Sequence, residues 1–251
     1  MLNYSIIIPT YNEQKNIERC FNSIDLSNDV IVVDSYSKDQ TFNICKNFDV
    51  HVIQNEFISH GKQIMYASKF AKNDWIFVLD ADERFSCNLD IELKNLKTLN
   101  EFNAFKIRRI NYFSNVEIKH GTWKHDFPIR FFNKRLCYYN DRLVHSSLVV
   151  KGKVGLLENT LKHYSYNSIS DYIQKVERFS RCGARDLVNL GKKQSYLKVI
   201  FRSLFRFFKS YILYKGFLDG KYGFIIAILE SIYVALKYLI LIEINMNKKI
   251  K

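Results

Sequence analysis

The sequence predicts an α/β fold: a mixed, mainly parallel sheet flanked by helices, followed by a helical C-terminal extension. Three observations carry that expectation. Short apolar runs alternate with amphipathic helical patterns over residues 1–100. Strand-like runs then follow one another without helices from about 103 to 163, and the pattern from Ser168 onward is helical.

Residues 4–8, 30–33, 50–53 and 75–79 read as buried strands, being short, rich in β-branched and aromatic side chains, and bounded by polar segments. Between them, 12–24, 39–47 and 61–71 carry apolar residues at intervals of three and four. In the first of these, Ile17, Cys20, Phe21 and Ile24 share one face. Strand and helix alternating this closely imply right-handed βαβ units and a parallel sheet covered on both sides. The runs 104–112, 128–133, 136–139 and 143–150 extend that sheet in a mixed sense. Ser170 is the expected N-cap of a helix running to about 190, with Gly191 as its stop, and two further helices fall near 195–215 and 223–246. No repeat, low-complexity tract or Pro/Gly/Ser linker interrupts the chain.

At 251 residues and 47% hydrophobic content the chain can bury a full core. Cys20, Cys45, Cys87, Cys137 and Cys182 are scattered and form no C-x-x-C pair, which excludes a disulfide framework or zinc site of recognisable spacing and favours reduced thiols. Residues 2–8 are apolar but lack a basic region before them, so they read as a strand rather than a signal peptide. The net charge of +13 is uneven: residues 192–251 hold 12 Lys+Arg against 3 Asp+Glu, a net of +9, and the rest is nearly balanced. That excess suits a phosphate-bearing surface. No basic–aromatic module of a nucleic-acid reader is present, so nucleic acid is not an expected partner.

In an open parallel sheet, ligands bind outside the carboxyl ends of the strands. Here the first strand ends in Pro9-Thr10-Tyr11-Asn12-Glu13, the second in Val33-Asp34-Ser35 and the fourth in Leu79-Asp80-Ala81-Asp82-Glu83. Acidic groups gathered on one edge need cations or hydrogen-bond donors to coexist. Asp80 and Asp82 are two apart and project to the same side of an extended segment, a spacing that suits a hard divalent cation. Acids after a strand also serve as turn formers and caps, so Asp34 alone reads equally well as structural. The absence of glycine from Pro9–Glu13 argues against a Gly-rich phosphate loop of nucleotidyltransferase type.

These residues, with Ser5-Ile6-Ile7-Ile8 before Pro9, and Ser37 and Asp39 after Asp34, resemble family 2 glycosyltransferases of the GT-A (Rossmann-like) fold. The stretch His60-Gly61-Lys62-Gln63, Asp74-Trp75-Ile76, Val144-His145 and Gly216-Phe217-Leu218-Asp219-Gly220 are similar to the subgroup acting on the lipopolysaccharide inner core. The resemblance implies a catalytic domain over 1–165, with a nucleotide-binding half (1–100) and an acceptor-side half (101–165), and a membrane-associating extension over 166–251. It implies an inverting, metal-dependent transferase that moves glucose or a similar hexose from a UDP-sugar to a lipid-linked glycan. Pro9, Thr10, Tyr11, Glu13, Asp34, Lys62, Asp80 and Ala81 would bind the nucleotide sugar, and Asp82 with Asp80 would hold Mg2+ or Mn2+. Where the subgroup carries a Glu after the Val-His pair, this chain has Ser146. Asp141, Asp126 and His145 are then the candidates for the base, with Asp141 preferred. The alternative is a transferase-like binding protein that has lost its base.

The tail carries Lys198, Arg202, Arg206 and Lys209 at intervals of four, four and three, interleaved with Phe201, Phe205 and Phe208. That is the composition of an interfacial helix facing an anionic membrane surface, with ordinary packing against the catalytic domain as the competing reading. The expected location is peripheral, on the cytoplasmic face of the cytoplasmic membrane. The run 224–242 approaches the roughly 20 residues of a span, but Glu230, Ser231 and Lys237 in its interior favour an interfacial or partly buried helix.

Overall fold

A computed structural model describes residues 1–140 and 147–247. The chain forms two compact units. One combines Met1–Ile110 with Phe127–His163, and the other combines Asn111–Asp126 with Tyr164–Lys251. The loop 111–126 thus groups with the C-terminal helices, a division the sequence pattern does not suggest.

In the first unit β1 (Ser5–Thr10), α1 (Ile17–Phe21), β2 (Asp29–Asp34), α2 (Thr41–Cys45), β3 (His51–Gln54), α3 (His60–Ala67) and β4 (Trp75–Val78) follow the expected alternation. Then come β5 (Glu83–Phe85), α4 (Leu89–Lys94) and β6 (Ala104–Phe113), whose last residues enter the second unit with β7 (Val116–Glu117). β8 (Ile129–Asn133), the hairpin of β9 (Cys137–Tyr139) and β10 (Leu148–Val150), and β11 (Val154–Tyr166) complete the strands. The order in the main sheet is β3-β2-β1-β4-β8-β6-β11-β5. β3, β2, β1 and β4 run parallel; β8 is antiparallel to β4 and to β6, and β5 to β11.

β1 forms where it does because its apolar residues are covered on both faces. Ile6 and Ile8 pack with Phe21, Val32 and Phe77, while Ile7 packs on the opposite side with Ile31, Val33 and Ile64. Each such buried side chain contributes about 1.5–3 kcal/mol. α1 and α2 are much shorter than their patterns suggest, because the residues before each are held in loops that bond to one another, as described below. Cys20, Cys45 and Cys137 lie in these cores, and burial pushes the thiol of Cys45 up to about 12 and that of Cys137 to about 11. Such thiols stay protonated and unreactive at neutral pH.

β5, α4 and β11 were not expected from the sequence. Along β11 the buried residues Leu157, Leu161 and Ser165 fall four apart instead of alternating, so the strand lacks its usual period-two signature.

The second unit contains α5 (Ile169–Asn189), α6 (Tyr196–Phe208) and α7 (Gly220–Asn247). The N-cap of α5 is Ser168 rather than Ser170; its hydroxyl accepts from the Asp171 amide at 3.1 Å. Gly191, at φ +67°, ends the helix as expected. Phe113, Trp123, Tyr166, Tyr172 and Tyr222 form an aromatic core with Val176, Ile226 and Leu229. The Gly216–Gly220 segment is an anchor. Asp219 accepts from the His120 backbone amide (2.8 Å) and contacts its Nδ1 (2.9 Å), and a Cβ on Gly223 would lie 1.8 Å from the Gly216 carbonyl oxygen. Gly216–Asn247 is long and apolar enough to cross a bilayer by length and composition. Yet Glu230 within it is buried, accepting from the Thr122 hydroxyl (2.6 Å) and pairing with Arg206 Nη2 (2.8 Å).

That ion pair corrects the expected basic stripe. Arg206 is turned into the unit, and Arg202 lies over the Tyr238 ring and donates to its hydroxyl at 3.1 Å. The four cations of α6 and the residue after it therefore do not present one outward row.

Candidate active site

β2, β1 and β4 are neighbours in the sheet, so their three acidic ends converge on one edge of the first unit. Two of the loops are stitched together. The Asn12 amide donates to Ser37 Oγ (2.9 Å), the Lys38 amide to Asn12 Oδ1 (2.8 Å), the Glu13 amide to Thr41 Oγ1 (2.7 Å) and the Gln14 amide to Asp39 Oδ2 (3.3 Å). Asn12 and Tyr36 both sit at positive φ, 56° and 57°, a conformation non-glycine residues hold only when their surroundings impose it. The edge is preorganised before any ligand arrives.

Asp34 is fully buried, opposite Thr10 in the strand register, and its carboxylate accepts from the Ser37 amide (3.0 Å), the Ser37 hydroxyl and Gln54 Nε2 (3.0 Å). Thr10 is buried too, but its hydroxyl oxygen has no hydrogen-bond partner among the described residues, a cost of about 1–3 kcal/mol unless a ligand supplies one. Pro9 is half-buried and Tyr11 exposed beside it. Glu13 accepts from Asn16 Nδ2 at 2.7 Å and so also shapes the start of α1.

The His60–Gln63 motif opens α3, capped by Ser59. Gln63 is buried and ties the helix to the end of β2, donating to Ser35 Oγ (2.7 Å) and the Asn55 carbonyl (2.9 Å). Gly61 lies flat on Tyr139, where a Cβ would come within 2.6 Å of that side chain. Lys62 is exposed on the first turn of the helix. His60 Nε2 reaches Asp80 Oδ1 at 3.1 Å.

Asp80 is thereby engaged on both oxygens, since Arg130 Nη2 binds Oδ2. Arg130 also meets Glu83 Oε1 at 2.6 Å, where Arg109 Nη1 joins at 2.9 Å; the Glu83 carboxylate accepts from the Asp80 amide at 3.0 Å, and the Glu83 amide donates to the Asp80 carbonyl at 2.8 Å. Burial would raise the Asp80 carboxyl, but Arg130, followed by His60, outweighs it and holds it well below the usual carboxylate range. Burial likewise works against the Arg130 charge, and Asp80 and Glu83 overcome it, so that guanidinium stays protonated. Asp80, expected as a metal ligand, has its two oxygens in contact with His60 and Arg130. Ala81, expected at the ligand, has its methyl in the hydrophobic core, so only its backbone is available.

Asp82 Oδ1 lies 3.5 Å from His163 Nε2, and both side chains are largely buried. Among the described residues no three His, Cys, Asp or Glu side chains converge as a metal cage. A hard oxygen and an imidazole nitrogen side by side nonetheless fit a divalent ion that takes its remaining ligands from substrate phosphates. Asp141 and His145 lie outside the described residues, and Asp126 belongs to the second unit, where Asn111 Nδ2 donates to it at 3.2 Å. Arg130, Arg109 and His163 carried no signal in the sequence. Each enters from an antiparallel strand far along the chain.

The glycosyl transferase family 2 model matches residues 5–149, more than half of the chain. An uncharacterised glycosyltransferase of Rickettsia typhi is 28% identical over 99% of this chain and 90% of its own length, and one of Rickettsia felis is 30% identical over 88% and 83%. The lipopolysaccharide core biosynthesis glycosyltransferase LpsC of Rhizobium meliloti is 23% identical over 92% of this chain and 89% of that protein. Among solved structures, Staphylococcus aureus TarS 1–349 in complex with UDP-GlcNAc superposes with a TM-score of 0.52 at 14% identity, covering 98% of this chain and 92% of that one. The mixed sheet, the three strand-end loops and the matched residues together make this chain a member of glycosyl transferase family 2, with the GT-A fold.

Proposed function

We propose that the chain is an inverting hexosyltransferase that takes a sugar from a UDP-sugar and delivers it to a lipid-linked glycan, such as a lipopolysaccharide core, at the cytoplasmic face of a membrane. The observation that carries the donor half is the preorganised edge, where the buried Thr10 hydroxyl lacks a partner among the described residues, beside the Asp34, Ser37 and Gln54 cluster. The UDP-GlcNAc complex of TarS, whose fold this chain shares, supports the same reading. The acceptor half is supported by the likeness to LpsC and by the net +9 of residues 192–251, which suits an anionic leaflet.

In this reading Pro9, Thr10, Tyr11 and Asp34 hold the nucleoside, and Lys62 meets the diphosphate. Arg130 and His60 fix Asp80 as a neutralised wall, so the pocket does not repel the incoming phosphates. Asp82 and His163 would hold Mg2+ or Mn2+, which when bound stabilises the departing diphosphate as a Lewis acid. The acceptor hydroxyl attacks the anomeric carbon from the face opposite the diphosphate. A carbon–oxygen bond forms as the bond to UDP breaks, and the hydroxyl proton passes to a base. We assign that base to Asp141.

A panel of UDP-sugars assayed for hydrolysis and transfer, with Mn2+, with Mg2+ and with chelator, tests the donor reading. One sugar should be consumed at least about tenfold faster than the rest, and uniform inertness of all of them overturns it. Asp141→Asn should lower transfer by at least ~100-fold, the low end for general base catalysis, with UDP binding unchanged. Normal transfer by that variant would remove Asp141 and pass the role to Asp126 or His145.

A further inference from the structure

α6 is amphipathic in the inverted sense. Its inward face is mostly small or polar: Val199, Ser203 and, in the turn that follows, Ser210 are buried, and Arg206 reaches the buried Glu230. Ser231 Oγ donates to the Ser203 carbonyl at 2.8 Å, and Thr122 Oγ1 donates to Glu230, so that face is hydrogen-bonded inside the unit. The outward face is apolar. Leu197 and Phe201 are 69% and 70% exposed, and Ile200, Leu204, Phe205 and Phe208 continue the same surface. α7 adds Phe224, Ile228 and Ile232, exposed at intervals of four, and Phe224 rests against Phe207 and Tyr211. Soluble monomers rarely leave so continuous an apolar surface in water.

We propose that this face lies in the plane of the membrane and buries its aromatic and aliphatic side chains among the acyl chains of the lipid, anchoring the protein by apolar insertion. The occupant follows from charge. Lys192, Lys193 and Lys198 stand exposed at one end of the surface, and Lys215 and Lys221 are exposed beyond the other. A second copy docked on the same face would bring two segments of net +9 together, whereas a leaflet offers hydrocarbon to the face and phosphate to its rim. The expected electrostatic row is not what the helix presents, because Arg202 and Arg206 are engaged by α7. Apolar contact therefore carries the attachment, and the rim lysines favour anionic lipid without being required. The inference deepens the membrane part of the proposed function, and rests on it for the identity of the leaflet alone.

Flotation of the full chain with phosphatidylcholine vesicles, and with vesicles containing one quarter phosphatidylglycerol, separates the possibilities. The protein should float with both and stay bound at high salt, which screens charge to within a few ångströms but leaves apolar burial intact. Phe201→Asp with Phe205→Asp should lower partitioning by about a hundredfold or more, with circular dichroism and thermal midpoint unchanged because both sites are exposed. Lys198→Gln with Lys215→Gln should shift only the preference for anionic vesicles. Release by salt, or binding to anionic vesicles alone, overturns apolar insertion. So does a stable dimer in solution that the Phe201/Phe205 variant dissociates, which would make the face a contact between copies. UDP-sugar hydrolysis is read in parallel without lipid, so loss of donor activity and loss of flotation are separate results.

Discussion

Asp82→Asn is expected to lower metal-supported transfer at saturating donor by about a hundredfold or more, with the fold intact. The substitution removes a charge and almost no volume, and the amide keeps an oxygen where the carboxylate had one. A bound cation contributes several kcal/mol to charge stabilisation in the transition state, and each 1.36 kcal/mol is about tenfold in rate. His163→Ala should act in the same direction, because its Nε2 is 3.5 Å from Asp82 Oδ1 and offers the second donor atom. Binding of Mn2+ in the presence of UDP, followed by calorimetry or electron paramagnetic resonance, gives a readout independent of turnover, and both variants should weaken it. If Asp82→Asn binds Mn2+ and transfers like the parent, the ion is held elsewhere. If only Asp80→Asn abolishes binding, Asp80 holds the ion despite its contacts with His60 and Arg130.

The parts of the site visible in the sequence are those where one local segment carries both the strand and its chemistry. β1, β2 and β4 are short apolar runs whose polar punctuation is also the ligand-facing loop, so Thr10, Asp34, Asp80 and Asp82 could be placed at one edge from periodicity and the rules of parallel sheets. What those acids do there was not legible. Asp80 has the same residue type and spacing whether it binds a cation or an arginine. The deciding partner, Arg130, enters from β8, fifty residues on. His163 was hidden for a related reason. It sits on β11, whose buried residues fall four apart, and it reaches Asp82 only because β11 pairs with β5 in a register that sets His163 against Glu83. The α6 stripe failed differently. Spacing located the helix and its faces correctly, but whether a cationic row looks outward depends on what opposes it, and Glu230 lies 24 residues beyond Arg206.

Arg130→Met is expected to give the largest loss of stability in the catalytic unit. Arg130 bridges Asp80 and the fully buried Glu83. Removing one partner of a buried ion pair strands the charge left behind, at a cost of about 3–5 kcal/mol. For a domain of this size that corresponds to a fall in thermal midpoint of roughly 10 °C. The pH dependence identifies the cause. Arg130 and His60 hold the Asp80 carboxyl well below its ordinary value against the effect of burial. A depressed carboxyl stabilises the fold fully above its unfolded pKa of about 3.9, and that stabilisation is lost as pH falls through the folded value. In the variant, burial acts with less opposition and moves the carboxyl upward. Urea unfolding at a series of pH values should therefore show the gap between parent and variant widest near pH 7 and narrowing as pH falls through the range where Asp80 protonates in the folded variant but stays ionised in the parent. A gap that stays constant from pH 7 to pH 3 would mean that Arg130 acts through packing of its aliphatic stem, and the ion-pair account of this centre would fail.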